Sequence, residues 1–431
     1  MTGNEARYGP LTRAGLAFCL YGALKMPKHV SSKLLLPACL LVSSSTTAFA
    51  EESKDATATK AKLDLRYRIE AVDQSSKPED AFASTLRSRL TLSRKLADQW
   101  TVVGEIDNVA SVGSEKFNST SNGQIQYPVV ADPTGTDINQ LLVRYSGQDI
   151  TVTGGRQRVI HADQRFVGGV AWRQNEQTYD GARMVYTGLN NVTIDYTYAS
   201  KVNRIFGPDD GPVQPAALSG DNHLIHTQFS LAPQQSLSAY AYLLDIDLEG
   251  DYAAGKSIGN STDTMGLEYK GQFGAANLRL GYAQQSDAGD SSLDYDADYY
   301  LVEAKYSFDS FKVHAGLEVL GSDNGVGFKT PLATLHKFQG WADKFLVTPG
   351  GGISDTYVGV AGKVGKSALL LVHHDFESDQ GGMSYGSELN ASVTLPVGKK
   401  WKVQVKYADF SSDSPTLSDD KRYWVTVNWK S

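Results

Sequence analysis

The sequence is poor in thiols, for its two cysteines, Cys19 and Cys39, both lie near the start of the chain. Everything beyond them therefore lacks a disulfide, a cysteine zinc ligand or a cysteine nucleophile. Long apolar runs are scarce as well. A polytopic helical membrane protein needs repeated apolar stretches of about 20 residues; none occurs beyond residue 50, and mean hydropathy is −0.31. Hydrolase signatures are missing: there is no G-x-S-x-G and no H-E-x-x-H, and neither His223 with His226 nor His373-His374 has a partner in sequence that fixes a role. Basic charge is not in excess, with 41 Lys and Arg against 48 Asp and Glu, which speaks against a nucleic-acid partner. Disorder is excluded by a 10% aromatic content.

What is abundant is glycine and tyrosine, 41 and 22 residues of 431. Residues 1–50 read as a signal peptide region. Starting at Met26, Lys28 and Lys33 form a positive n-region, Leu34 to Val42 an apolar stretch too short to span a bilayer, and Ala48-Phe49-Ala50 a cleavage signal before Glu51. The expected start is Met26, with cleavage after Ala50. Loss of this segment removes Arg7, Arg13, Lys25, Lys28 and Lys33 against Glu5 alone, moving the net charge from −7 to roughly −11. Residues 51–62 are expected to form a short periplasmic segment, and 63–431 the folded body.

That body is patterned with period two. Leu63, Leu65, Tyr67, Ile69 and Ala71 share one face, and Asp64, Arg66, Arg68 and Glu70 the other. Segments of about ten residues alternating in this way are the signature of a transmembrane β-barrel. Strands are expected at 63–71, 85–94, 100–109, 139–147, 150–157, 179–187, 191–199, 223–231, 236–246, 264–273, 276–286, 299–308, 311–320, 355–364, 367–377, 386–395, 400–409 and 422–430. Short and long connections alternate strictly between them, as short periplasmic turns and long extracellular loops do. The expected fold class is all-β: a transmembrane antiparallel β-barrel of about 18 strands. In hydrocarbon a sheet must close on itself to pair every backbone N–H and C=O, and closure at this size leaves an aqueous lumen.

The lumen lining carries the functional signal. Eleven arginines fall between Arg66 and Arg183. Strand phase turns Arg66, Arg68, Arg87, Arg89, Arg144 and Arg183 inward, where successive guanidinium groups meet an anion. Nearby Asp64, Glu70, Glu105, Asp107 and Asp195 allow a second reading, in which ion pairs stiffen the wall. Asp290, Asp294, Asp296 and Asp298 offer hard oxygen ligands for a divalent cation, a pattern that a solvated acidic loop also produces.

Two stretches carry a family resemblance. One runs Gly155-Arg156-Gln157-Arg158, Asp163-Gln164-Arg165-Phe166-Val167-Gly168, Trp172-Arg173-Gln174-Asn175 and Tyr179-Asp180-Gly181-Ala182-Arg183. The other runs from Thr330 to Leu346 and includes Leu335-His336-Lys337-Phe338-Gln339-Gly340-Trp341-Ala342-Asp343. Both resemble the alginate-export family of outer-membrane porins. The resemblance implies an eighteen-stranded barrel with an arginine-lined constriction that passes a polyuronate, and it names Arg156, Arg158, Asp163, Arg165, Arg173, Asp180 and Arg183 as constriction residues. Phe338, Trp341 and Phe345 of the second stretch would either stack on sugar faces or pin their loop to the wall. The expectation is thus a passive, anion-selective outer-membrane channel with no cofactor and no catalytic residue. Its partners would be outer-membrane lipid and lipopolysaccharide, an anionic saccharide or other small anion, and periplasmic export or uptake components. A general-diffusion porin and an outer-membrane hydrolase are the alternatives.

Overall fold

The computed structural model describes residues 58–211, 214–247 and 260–431. Its strands are β1 (Lys60–Gln74), β2 (Ala81–Ala97), β3 (Trp100–Lys116), β4 (Gly135–Ser146), β5 (Ile150–Gln157), β6 (Thr178–Leu189), β7 (Val192–Asn203), β8 (Ala217–Ala232), β9 (Gln235–Ile246), β10 (Thr262–Phe273), β11 (Ala276–Asp287), β12 (Asp296–Ser307), β13 (Phe311–Leu320), β14 (Ser322–Asp323), β15 (Val326–Gly327), β16 (Ile353–Val364), β17 (Ser367–Glu377), β18 (Ser384–Val397), β19 (Trp401–Ser412) and β20 (Asp420–Lys430). β14 and β15 form a small hairpin inside a loop; the other strands make one 18-stranded antiparallel sheet. Each strand pairs with its neighbour in the chain, and β1 pairs with β20 from Asp64 opposite Lys430 to Gln74 opposite Asp420, which closes the barrel. All eighteen expected strands are present.

The burial pattern inverts that of a soluble sandwich. On β1 the polar Asp64, Arg68 and Glu70 are 8%, 2% and 0% exposed, whereas the outward Leu90 and Leu92 of β2 are 43% and 44% exposed. Exposed apolar side chains recur around the whole circumference, for example Ile106, Leu141, Met265, Val302 and Val358. Such a continuous apolar band is a lipid-facing surface. At the short-turn end it is edged by aromatic pairs, among them Trp100 with Tyr145, Phe308 with Phe311, and Trp401 with Trp429. Amphipathic rings of this kind mark a membrane interface. The tight turns are permitted by left-handed residues such as Asn191 (φ 62), Gly274 (φ 60) and Gly365 (φ 60).

Two local irregularities position the site. Gly155 has φ 111, and a Cβ there would collide with the carbonyl oxygen of Leu141, so no other residue fits where β5 crosses β4. In β4 a bulge opposite Glu105 and Ile106 inserts Asn139. The extra residue turns Asn139 as well as Gln140 away from lipid, and both are under 9% exposed.

Candidate functional site: two loops inside the barrel

The polar strand faces are buried because protein fills the space they enclose. The loops 158–177 and 321–352 contact inward-facing residues on strands all around the ring. Arg165 donates to Glu318 of β13 at 2.8 Å, Arg173 to Glu70 of β1 at 3.0 Å, and Gln174 Nε2 to Thr85 Oγ1 of β2 at 2.8 Å. Glu388 of β18 accepts the backbone N–H groups of Trp341 and Ala342. The loops also bind each other, Gly168 N to Leu332 O at 2.9 Å and Thr334 N to Gln164 O at 3.0 Å. Irregular backbone at membrane depth has to find its hydrogen bonds in protein, and these contacts supply them.

Their meeting point is Trp172. Its ring stacks on His336 at 4.3 Å and 7°, and Trp424 of β20 meets it edge-on at 5.9 Å. Arg68 lies 4.1 Å from the Trp172 centroid, and the Lys406 ammonium sits 3.8 Å from the centroids of both Trp172 and Trp341. Three cations here, Arg66, Arg68 and Lys406, have no carboxylate partner within salt-bridge distance among the described residues. Arg66 Nη1 instead donates to the carbonyl oxygens of Ala171, Trp172 and Arg173 at 2.9, 3.3 and 3.0 Å. Arg68 Nε donates to Thr426 Oγ1 at 3.2 Å. Buried N–H groups of Arg68 (Nη1), Arg87 (Nε and Nη1), Trp172 and Trp424 have no acceptor among the described residues. The arrangement therefore offers unused donors.

Most of the other arginines are matched by carboxylates, many of them in four clusters. Arg89 is bidentate to Asp107 at 2.7 and 2.5 Å and reaches Glu176 at 2.8 Å; Arg158 pairs with Glu176 at 2.6 Å and with Glu105. Asn139, delivered by the bulge, donates to Glu105 and Glu176 at 2.7 and 2.9 Å. Burial alone would raise the Glu176 carboxyl, but the Arg158 hydrogen bond and the Arg89 charge hold it at about 2. A second cluster joins Arg173 and Arg422 to Glu70, Asp343 and Asp420. Burial would likewise raise Asp343, yet His336 and Arg173 hold it below the usual carboxylate range. In the third cluster Arg165 meets Glu318 and Gln339. The fourth pairs Asp163 with Arg279 at 2.5 Å and with Lys337. Arg87 pairs with Asp64 at 2.7 Å and Arg183 with Asp195 at 2.5 Å.

The residues named from sequence are thus distributed unevenly. Arg66, Arg68, Arg87, Arg89, Arg158, Asp163, Arg165, Arg173 and Arg183 face the lumen or stand in it. Arg144 also faces inward, paired in register with Thr153, but lies exposed near a short turn and away from the loops. Arg156 and Asp180 belong elsewhere. β5 turns the buried Thr153 and Gln157 inward, so Arg156 lies on the opposite, outer face and pairs with Asp180 at 2.8 Å. The loop aromatics pack on the wall: Phe345 lies 4.7 Å from Phe376, Phe338 caps Arg165 at 4.7 Å, and Trp341 holds Lys406. Asp290, Asp294, Asp296 and Asp298 do not converge, since no group of three or more metal-type side chains forms among the described residues. Asp298 instead accepts the hydroxyls of Tyr282 and Tyr300. Sequence reasoning gave no role to Lys406, Arg279, Arg422 or Trp424. Arg279 was open to it, because Leu278 and Leu280 face lipid on either side.

Outward from the loops lies a cavity of about 710 Å³, lined among others by Arg173, Arg204, Phe206, Leu335, Lys344 and Arg422. Burial brings the Arg204 guanidinium down to about 10.

A closed eighteen-stranded barrel with a lipid-facing band and a polar lumen narrowed by inward-folded loops is the architecture of an outer-membrane porin. Within that class the chain belongs to the alginate export family, which matches residues 59–319. The match ends before the stretch from Thr330 to Leu346, so that second resemblance lies outside the matched residues. Solved structures similar to it include OccAB4 of Acinetobacter baumannii, with a TM-score of 0.66 at 13% identity over 87% of this chain and 98% of that one. OpdO of Pseudomonas aeruginosa gives 0.64 at 12% over 86% and 97%, and the outer-membrane protein OpdK of the same organism 0.64 at 12% over 86% and 98%. At these identities the likeness is one of fold. Among curated proteins no sequence matches.

Proposed function

We propose that this protein is a passive outer-membrane channel selective for anionic solutes, acidic saccharides such as uronates among them, and that it catalyses no reaction. The carrying observation is the group of Arg66, Arg68 and Lys406 around Trp172, cations that among the described residues have no carboxylate within salt-bridge distance and stand beside buried N–H groups with no acceptor. A fixed positive charge at the narrowest part of a pore raises the local anion concentration, and the paired arginines around it keep binding weak enough for release. Membership of the alginate export family supports a uronate as the solute class. An N-terminal signal peptide, lipopolysaccharide around the barrel and periplasmic export or uptake partners complete the reading. The test is the reversal potential of the purified protein in a planar bilayer under a potassium chloride gradient, followed by oligomannuronate. Anion selectivity with block by the uronate is the expected result; a cation-selective or non-selective pore rejects it.

A further inference from the structure

The two mouths of the barrel differ in charge. At the short-turn end, inward-facing positions carry Lys62, Lys312, Lys363 and Lys402, joined by Arg144. They occupy an arc from β13 through β20 and β1 to β4. All five are exposed, and none has a carboxylate within salt-bridge distance among the described residues. The inward carboxylates nearest that mouth are already taken: Asp64 by Arg87 and Lys430, Glu268 by Lys270, and Glu303 by Lys305. Among the described residues the remaining acids there, Asp98, Asp149 and Asp309, sit in the turns themselves.

At the loop end of the same arc the sign reverses. The connections 75–80, 117–134, 378–383 and 413–419 contain Glu79, Asp80, Asp132, Asp379, Asp413 and Asp419 against Lys77 alone, while 321–352, which folds into the barrel, adds Lys329, Lys337 and Lys344 against Asp323 and Asp343.

Neighbouring strands lie about 4.8 Å apart, so successive cations of the arc are separated by one to three strands, roughly 5 to 15 Å. That is comparable to a Debye length of about 8 to 10 Å at physiological salt. Their fields overlap into one positive collar, which attracts a multivalent chain far more than a single small anion because the chain engages several lysines at once. The five positions lie on the inward phase of their strands within three residues of the strand ends, which suits an occupant that enters the pore better than a protein docked beneath it.

We propose that this lysine collar is a capture site for polyanionic chains at the periplasmic mouth, separate from the loop constriction, and that polyanions reach the pore faster from that side than from the acidic loop side. The proposal rests on the reading of the pore as an anion channel. Its test is sided block of single channels by oligogalacturonate. Orientation is read from a biotin on Ser291→Cys, an outer-loop position, using streptavidin in one chamber; heat-modifiable gel mobility confirms that each variant is folded.

In the wild-type protein the on-rate of block is expected to be about tenfold higher from the short-turn side at 0.1 M salt, within the about 10- to 1,000-fold range of electrostatic steering. The quadruple variant Lys62→Gln, Lys312→Gln, Lys363→Gln, Lys402→Gln should lose that advantage, and the corresponding Lys→Arg variant should keep it. Equal on-rates from both sides in the wild type, or unchanged block in the Gln variant, overturn the collar even where the pore proves anion-selective. An unchanged Gln variant that no longer retains an acidic protein assigns the lysines to docking instead. A pore that is not anion-selective and shows no block from either side overturns the channel reading, and the collar with it.

Discussion

The ammonium of Lys406, on β19, donates a 2.7 Å hydrogen bond to Nε2 of His336, in the loop between β13 and β16. An ammonium can only donate, so Nε2 accepts and the imidazole proton sits on Nδ1, which faces Asp343 at 2.8 Å. One strand lysine thereby holds the loop residues His336 and Trp341 and, through the Trp172 ring, the other loop as well.

Replacing Lys406 with Met should loosen both loops while leaving the barrel intact. Buried cation–π contacts contribute up to about 2 kcal/mol each, and Lys406→Met removes two at close range. Limited trypsin digestion should then cut after Lys337 or Lys344 at least tenfold faster than in the wild type, with heat-modifiable mobility unchanged. Equal cleavage rates would show that the lysine does not fasten the loop.

The same contact makes the loop sensitive to acid. Burial, with the Lys406 charge beside it, lowers His336 to about 3 from an ordinary 6.5. The released loop binds the proton more readily than the docked one, so docking has its full strength above about pH 6.5 and weakens as pH falls toward 3. The slope approaches about 1.4 kcal/mol per pH unit within that window. Asp343 and Glu176 are held low in the docked loop, so their contribution weakens only as pH falls below about 4. Open-channel noise is expected to rise between pH 7 and pH 4.5, and His336→Gln should be noisier throughout with a smaller rise over that range.

How much of this was readable in advance follows from the range of the interactions. Strand existence and phase are local: lipid demands an apolar side chain at every second position, so Leu63 to Ala71 revealed the inward face of β1 without any knowledge of the fold. The site is not local. Arg165 meets Glu318 at a separation of 153 residues, and Trp172 meets His336 and Trp424 at still larger ones, and no periodicity encodes those meetings. Arg156 and Asp180 show the intermediate case. They stand beside true lumen residues in sequence, but one position out of phase on a strand is the other side of the wall. The bulge at Asn139 was unreadable for a related reason, since an inserted residue has no signature until its partner strand is known.

Glu176 tests the balance of charge in the first cluster. Glu176→Gln leaves Arg89 with Asp107 and Arg158 with Glu105, but removes the carboxylate that both share. Anion preference in the reversal-potential measurement should increase. Stability should fall by about 3 kcal/mol, the lower end for breaking a buried pair, because each arginine keeps a second partner. Urea titration of the barrel in lipid vesicles measures the loss.

The sharpest separation of selective from structural arginines compares three substitutions. Among the described residues no carboxylate lies within salt-bridge distance of Arg66 or Arg68, so Arg66→Gln with Arg68→Gln removes two charges without breaking an ion pair, and chloride preference over potassium should drop severalfold. Arg87 and Arg183 are each matched by an aspartate; neutralising them leaves Asp64 with Lys430 and Asp195 with His161 as their remaining partners, which should lower chloride preference too but at a cost in stability that the first pair does not share. Arg156→Gln changes a charge on the outer face, paired with Asp180, and should leave the reversal potential where it was. If Arg156→Gln shifts selectivity as much as the Arg66 and Arg68 pair does, charge outside the lumen governs the pore and the loop constriction is not its filter.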